Sequence, residues 1–437
     1  MLPSPRAADT ALPPPESGAL TGADRGLLLR LQRLALRYFV DNQRPLGLVL
    51  DRQRNHGPVL AHGWCSTAAT GMGFVALALA SAPPYRLLTP GEAAARVRAG
   101  LEAALHRLPH DRGVLPHFVC SASGAVRGGD VLSTVDSSWL LAGGLWAAAF
   151  LGDRGLADLA ARLYDRVDWP YWAAPEGDDN RPLLRHGMGG DGRLLACRWD
   201  RLNGETVFMY VLAAGAARGR ALDAAAAAAL RPFYGEAAGL RFHSADLGLF
   251  VFQYGHDLLD LRRWRAPGGV DLAAEAGVAT AANRLACRAA AGAFATYRRF
   301  WGLSAGDGPG PGAADAYRAY APAGPLDGTA HVTATLASVA HLPDAVLDNA
   351  RAAGDRRLGA AGRYGLSNLN LDRRWVGRDM VGIDAGAAVL ALDNYLMDGR
   401  VRAVFHALPC VEEGLRRLRF TPLSGGRFPA APPRSGA

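Results

Sequence analysis

The 437-residue chain has no lysine: its 48 basic residues are all arginine, set against 40 acids, for a formal charge of +8. The arginines are scattered and never form a block of about five or six like charges, so the basic stripe expected of a nucleic-acid binder is missing. Cysteine is also scarce. Cys65, Cys120, Cys197, Cys287 and Cys410 lie far apart without a CxxC pair, which signals neither a zinc site nor a disulfide framework. The longest apolar run, Trp139 to Leu151, falls short of the roughly 20 residues of a spanning helix. Phosphate loop and HExxH motif are absent, which removes the commoner nucleotide and zinc-protease chemistries. The glycines of GMGGDG do not stand between a strand and a helix, and read as a hairpin turn.

Half the residues are hydrophobic and a fifth charged, the composition of an ordinary globular protein. The first residues, MLPSPRAADTALPPPESG, lack the apolar core of a secretion signal, so 1–23 is expected to be a disordered leader. As written, the chain predicts a cytoplasmic protein, or a periplasmic or secreted one if translation starts upstream. The tail 420–437 is likewise expected to be disordered, leaving 24–419 as one domain.

Helical signals follow one another along that domain. Leu27, Leu31, Leu34 and Tyr38 make one apolar face over Asp24 to Asp41. Thr89, Pro90 and Glu92 form a capping box for a helix reaching about Leu108. Asp153 and Asn203 are further caps, and helices are predicted over Thr134 to Phe150, Leu156 to Val167, Ala245 to Leu261, Met380 to Met397 and Val401 to Leu418. Others begin after Ser66, Asp271, Thr329 and Asp344. About a dozen helices result, several apolar over much of their surface and so needing several packing neighbours. The economical arrangement is an all-α toroid of six helical hairpins, an (α/α)6 barrel with long loops and short β-hairpins at one rim. The stretch from Arg299 to Ser338, rich in glycine, proline, aromatics and acids, is expected to form a loop walling a binding cleft.

Hydrolysis of a glycosidic bond needs two carboxylates, and several acids open apolar helices: Asp136, Glu205 and Asp384. Each has an ordinary explanation as a cap or as a charge complementing the helix dipole. Asp327 in LDGT resembles a turn acid, and His117 in LPHFV a core histidine that could also bond a sugar hydroxyl. Trp64, Trp139, Trp172, Trp199 and Trp301 could stack on sugar rings or pack in the core.

Taken in order, ATGMGF (69–74), LPHFV (115–119), the helix containing Asp136, NGETVFMYVLA (203–213), FWGLSAGDGP (300–309), AYAP (319–322), DGTAHVTATLAS (327–338) and NLDRRWVGRDMVGIDAG (370–386) resemble the glycoamylase-like family. That family includes bacterial endo-β-1,2-glucanases and the processing domain of cyclic β-1,2-glucan synthases. The resemblance implies the same toroid and an inverting glycoside hydrolase acting on a glucan, β-linked in the family members named, with no metal or organic cofactor; the scattered charge and short apolar runs argue against a nucleic-acid or membrane partner. It implies Glu205 as general acid, Asp384 on the base side, Asp136 as a further active-site acid, and His117, Trp301 and Asp327 along the sugar cleft; Asp307 and Tyr320 of the glycine-rich stretch, and Trp199, are further candidates for substrate binding. The chain departs from the family pattern at Ser133, at Asp136 where glutamate is usual, at Leu326 and at Ala385. Those departures leave open a silent carbohydrate-binding protein on the same barrel, and a toroidal epimerase or lyase remains a third possibility.

Overall fold

The computed structural model describes residues 20–174, 181–312 and 314–423. Among them are fifteen α-helices and only short two-stranded sheets, so the chain is mostly helical. In chain order the helices are α1 (Gly22–Asn42), α2 (Thr67–Ala80), α3 (Pro90–His106), α4 (Thr134–Leu151), α5 (Arg154–Asp165) and the four-residue α6 (Trp169–Trp172). Next come α7 (Gly204–Gly215), the short α8 (Ala225–Ala229), α9 (Phe250–Leu258), α10 (Leu272–Ala289) and α11 (Val332–Leu336). The last four are α12 (Pro343–Ala353), α13 (Gly382–Leu396), α14 (Arg400–His406) and α15 (Pro409–Arg417).

Six of these pack in succession. α2 lies on α4, α4 touches α7, α7 packs on α9, and Gln253 of α9 donates to the Ala334 carbonyl of α11. α11 packs on α13, and α13 returns to α2. Every residue of α2 is buried, as are nearly all of α4, α7 and α13, which is why these segments are apolar all round and carry no clear amphipathic stripe. α3, α5, α10 and α12 are half polar and cover the first set from outside. α14 packs across the ends of α4, α9 and α13, with the Trp146 indole donating to the Val401 carbonyl.

Small residues set the closeness of this packing. A Cβ on Gly71 would fall 2.2 Å from the Trp139 carbonyl oxygen, and one on Gly143 1.9 Å from that of Gly71, so α2 and α4 meet backbone to backbone. Gly204 and Gly255 perform the same service between α7 and α9. The start signals hold where side chains cap: Ser66, Ser133 and Asn203 accept from the third residue on, and the Thr89 to Glu92 box is present on both sides.

Several expectations are corrected. Within the spans expected to be leader and tail, α1 starts at Gly22 with Thr21 as its cap, and Thr421–Pro422 pairs with Trp264–Arg265. Residues 1–19 and 424–437 lie outside the described residues. The helix expected over Val401 to Leu418 is two, because Pro409 cannot continue α14 and instead starts α15. The Arg299 to Ser338 stretch is not an open loop: Ala305–Pro309 and Asp315–Ala319 form an antiparallel hairpin before α11. No described helix is long and apolar enough to cross a membrane.

Candidate active site

The N-terminal parts of several helices open on one hollow of about 650 Å³. Ser66 caps α2 and Ala68 lies within it, while Asp136 and Trp139 come from α4, Glu205 from α7, Tyr254 from α9 and Ile383 from α13. Asp51, Arg52, Trp64, His117, Phe118, Arg127 and Tyr317 complete the wall from the connecting segments. A volume of this order holds a few sugar units, and its mixture of rings with a few convergent polar groups is typical of a ligand site. Trp139 leans on Phe208 at 4.6 Å and meets Tyr254 edge-on at 5.9 Å, which makes the floor rigid and aromatic.

Glu205 is the second residue of α7. Asn203 already caps that helix, so the glutamate is free of capping duty and makes no hydrogen bond among the described residues. Burial, reinforced by the charge of Asp136, pushes its carboxyl up to about 8. Asp136 is the third residue of α4 and bonds the hydroxyl of the cap Ser133. Its own pKa is raised, chiefly by burial, while His117 and Ser133 pull it back. His117 places Nε2 3.7 Å from Asp136 Oδ1 and Nδ1 3.5 Å from Asp130 Oδ1.

Asp384 lies in the first turn of α13, again without a capping bond. It is 7 % exposed and lines a narrow crevice with Asp307, Thr333 and Asn368. The crevice and the main hollow share Val381. Burial, then the charges of Asp307 and Asp51, lift Asp384 to about 7 against the opposing pull of Arg52. Its charge is felt by Tyr254 and Tyr317, both in the hollow, which sets it beside the floor rather than remote from it.

Not every predicted residue arrives here. Glu205, Asp136 and His117 line the hollow, while Asp384 and Asp307 line the adjoining crevice. Trp199 stacks on His186 at 3.9 Å and donates its indole N–H to Thr134 Oγ1, which supports the start of α4 from behind. Trp301 is a core residue, 5 % exposed, with its indole donating to the Ala345 carbonyl. Tyr320 is buried too and donates to Asp327, which is the turn acid its LDGT setting suggested, accepting from the Thr329 amide. None of Trp199, Trp301, Tyr320 and Asp327 lines the hollow, and their polar atoms are spent on local bonds.

Sequence reasoning missed Asp51, Arg52, Tyr254 and Arg127 as lining residues. Arg52 bonds Asp307 at 2.9 Å and Asp51 at 3.2 Å. Among the described residues no cluster of three or more histidine, cysteine, aspartate or glutamate side chains could hold a metal ion.

Residues 197–409 match the family model Glycoamylase, described as "Putative glucoamylase". The chain resembles the glycoamylase-like family. No curated protein matches the sequence. Among solved structures, an endo-β-1,2-glucanase from Chitinophaga pinensis, in complex with sophorotriose and glucose, superposes with a TM-score of 0.79 at 19% identity, covering 92% of this chain and 99% of that one. A protein from Bacteroides caccae titled "putative glucoamylase" gives 0.79 at 22%, covering 92% of this chain and 100% of that one. A β-1,2-glucanase from Parabacteroides distasonis gives 0.76 at 20%, covering 91% of this chain and 60% of that one. At these identities the likeness is one of fold. The chain therefore shares its helical architecture with these proteins, and its chemistry has to be argued from its own site.

Proposed function

We propose that this glycoamylase-like chain is a glycoside hydrolase cleaving a β-linked glucan of the β-1,2 type with inversion, on an (α/α)6 toroid whose inner layer is α2, α4, α7, α9, α11 and α13. The observation that carries the reading is a pair of carboxyls, Glu205 at a sugar-sized hollow and Asp384 in the crevice that adjoins it, that make no hydrogen bond among the described residues and are held to about 8 and about 7. Carboxyls pushed to neutrality in a cleft are suited to acid and base work at physiological pH.

In this mechanism Glu205 in its acid form gives its proton to the glycosidic oxygen as the bond from that oxygen to the anomeric carbon breaks. Water adds to the anomeric carbon from the opposite face. Asp384, as a carboxylate, takes the proton that the water gives up, so the leaving sugar departs as an alcohol and the new reducing end has inverted configuration. Because Val381 stands where crevice and hollow meet, that proton reaches Asp384 through a water or a substrate hydroxyl. Trp64 and Tyr317, 41 % and 51 % exposed, offer ring faces to sugar units on either side of the cleaved bond. The nature of the relatives supports the same choice of substrate, since two are titled as β-1,2-glucanases.

The test is a screen of β-1,2-, β-1,3-, β-1,4- and α-glucans with products separated by chromatography, run beside Glu205→Gln. Cleavage of a β-glucan by the natural chain, with turnover lowered at least about 100-fold and oligosaccharide binding kept in Glu205→Gln, is the expected result. Binding without cleavage in the natural chain overturns the hydrolase reading, and an unsaturated product replaces it with a lyase.

A further inference from the structure

Asp130 lies outside the hollow and in none of the family-like motifs, yet its side chain is tied into the site twice. One carboxylate oxygen accepts from the Phe118 amide, and the other stands 3.5 Å from His117 Nδ1. Its side chain is only 8 % exposed. The turn that delivers it, Arg127 to Asp130, is closed by the Asp130 amide donating to the Arg127 carbonyl, with Gly129 at φ 75°. The far side of the same imidazole stands 3.7 Å from Asp136 Oδ1. The ring itself stacks on Phe118, centroids 3.7 Å apart and planes inclined by 29°. A histidine between two carboxylates, with its plane fixed, has one comfortable state, in which both nitrogens carry protons.

We infer that Asp130 is a positioning residue: it holds His117 as an imidazolium against Asp136, so that Asp136 stays the ionised member of the carboxyl pair and the proton rests on Glu205. The inference deepens the hydrolase reading and rests on it for its purpose, though not for its geometry. Two carboxyls that repel each other share one proton, and which of them carries it is decided by the surroundings. Asp136 has a cation on one side and the Ser133 hydroxyl on the other, whereas Glu205 has no such partner. The asymmetry therefore directs the proton to the group that faces the hollow. The other charged groups around His117 do not replace Asp130. Asp51 faces it more remotely across the hollow, Arg127 and Arg52 on the same wall oppose a cation, and Glu205 is neutral in the working state. In agreement, burial works against the charge on His117, but the contact with Asp130 and the charges of Asp136 and Asp130 prevail, and its pKa lies above the ordinary 6.5.

The experiment follows the ring of His117 and the carboxyl carbons of Asp136 and Glu205 by NMR titration of the full chain, without substrate, in the natural protein and in Asp130→Asn. Asparagine keeps the shape and the acceptor for the Phe118 amide but not the charge. The His117 midpoint is expected to fall by about one pH unit and the Asp136 midpoint to rise. If Asp130→Asn folds poorly, His117→Gln leaves the turn intact and raises the Asp136 midpoint in the same way. A His117 midpoint unmoved by Asp130→Asn, or an Asp136 midpoint unmoved by both variants, overturns the inference. Since no substrate is present, these results stand apart from the glucan screen: midpoints can move as expected in a protein that cuts no glucan, and glucan can be cut by one whose midpoints stay still.

Discussion

Arg52 Nη1 lies 2.9 Å from Asp307 Oδ2, a bond between residues 255 positions apart that joins the segment before α2 to the hairpin before α11. The same guanidinium reaches Asp51 through Nε at 3.2 Å and lowers the pKa of Asp384. It is the cation that lets three acids crowd one corner of the site.

Replacing Arg52 with methionine should therefore act twice. Asp307, 4 % exposed, loses its counter-charge. With Arg52 itself about one-third exposed, the cost should be about 2 kcal/mol, below the ~3–5 of a sealed pair. Asp384 should move upward from about 7, and with it the acid limb of the activity profile. Urea melts and a pH–rate profile read the two effects separately; an unmoved acid limb would show that Asp384 is not the group that limits activity there.

The carboxyls fix a pH dependence with a definite sign. Glu205 goes from an ordinary 4.5 to about 8 and Asp384 from 3.8 to about 7, so both bind protons more tightly in the folded chain. Their stabilising share is complete below the unfolded values and is lost as pH rises through about 7 and about 8. Glu205→Gln should remove part of that loss, so the difference in melting temperature between variant and natural protein should grow in the variant's favour from pH 5 to pH 9. Activity needs Asp384 ionised and Glu205 protonated, which predicts a narrow bell between about 7 and about 8.

Gly71 and Gly143 admit no side chain where α2 crosses α4. Alanine at either should cost about 1–3 kcal/mol in thermal or urea unfolding, because backbone rather than a pliable side chain must yield. The double variant should cost less than the sum, as both substitutions press on one contact. Since α4 carries Asp136, turnover should fall along with stability.

Trp64 offers the reverse case, being 41 % exposed at the mouth of the hollow. Trp64→Ala should leave the melting temperature within a degree or two and raise KM for the glucan about 3- to 10-fold, the worth of one stacking ring. A fall in kcat at constant KM would place Trp64 elsewhere in the reaction.

Much of this was readable beforehand, for reasons that differ residue by residue. The caps Thr89, Asp153 and Asn203 act within one turn, so local spacing is enough to find them. Glu205, Asp136 and Asp384 stand out as acids opening apolar helices, and each sits where the start of a buried helix meets the hollow or its crevice. Trp301 and Tyr320 misled because a tryptophan or tyrosine in a glycine-rich stretch looks the same whether its ring enters a cleft or a core; only the Ala345 carbonyl and the Asp327 carboxylate decide it. Asp51 and Arg52 were hidden because their meaning lies in partners far along the chain, and Tyr254 because it is one ring within an apolar helix.

The pairing of Arg52–Arg54 with Asp379–Val381 carries a consequence for how the protein is made. An early strand finds its mate only after more than three hundred further residues have left the ribosome, and α13, the support of Asp384, packs on α1 and α2 from the opposite end of the sequence. Contacts of such long range form slowly and late. The nascent chain thus holds its acids apart until the final helices dock, and no shortened product ending before residue 384 can own a complete site.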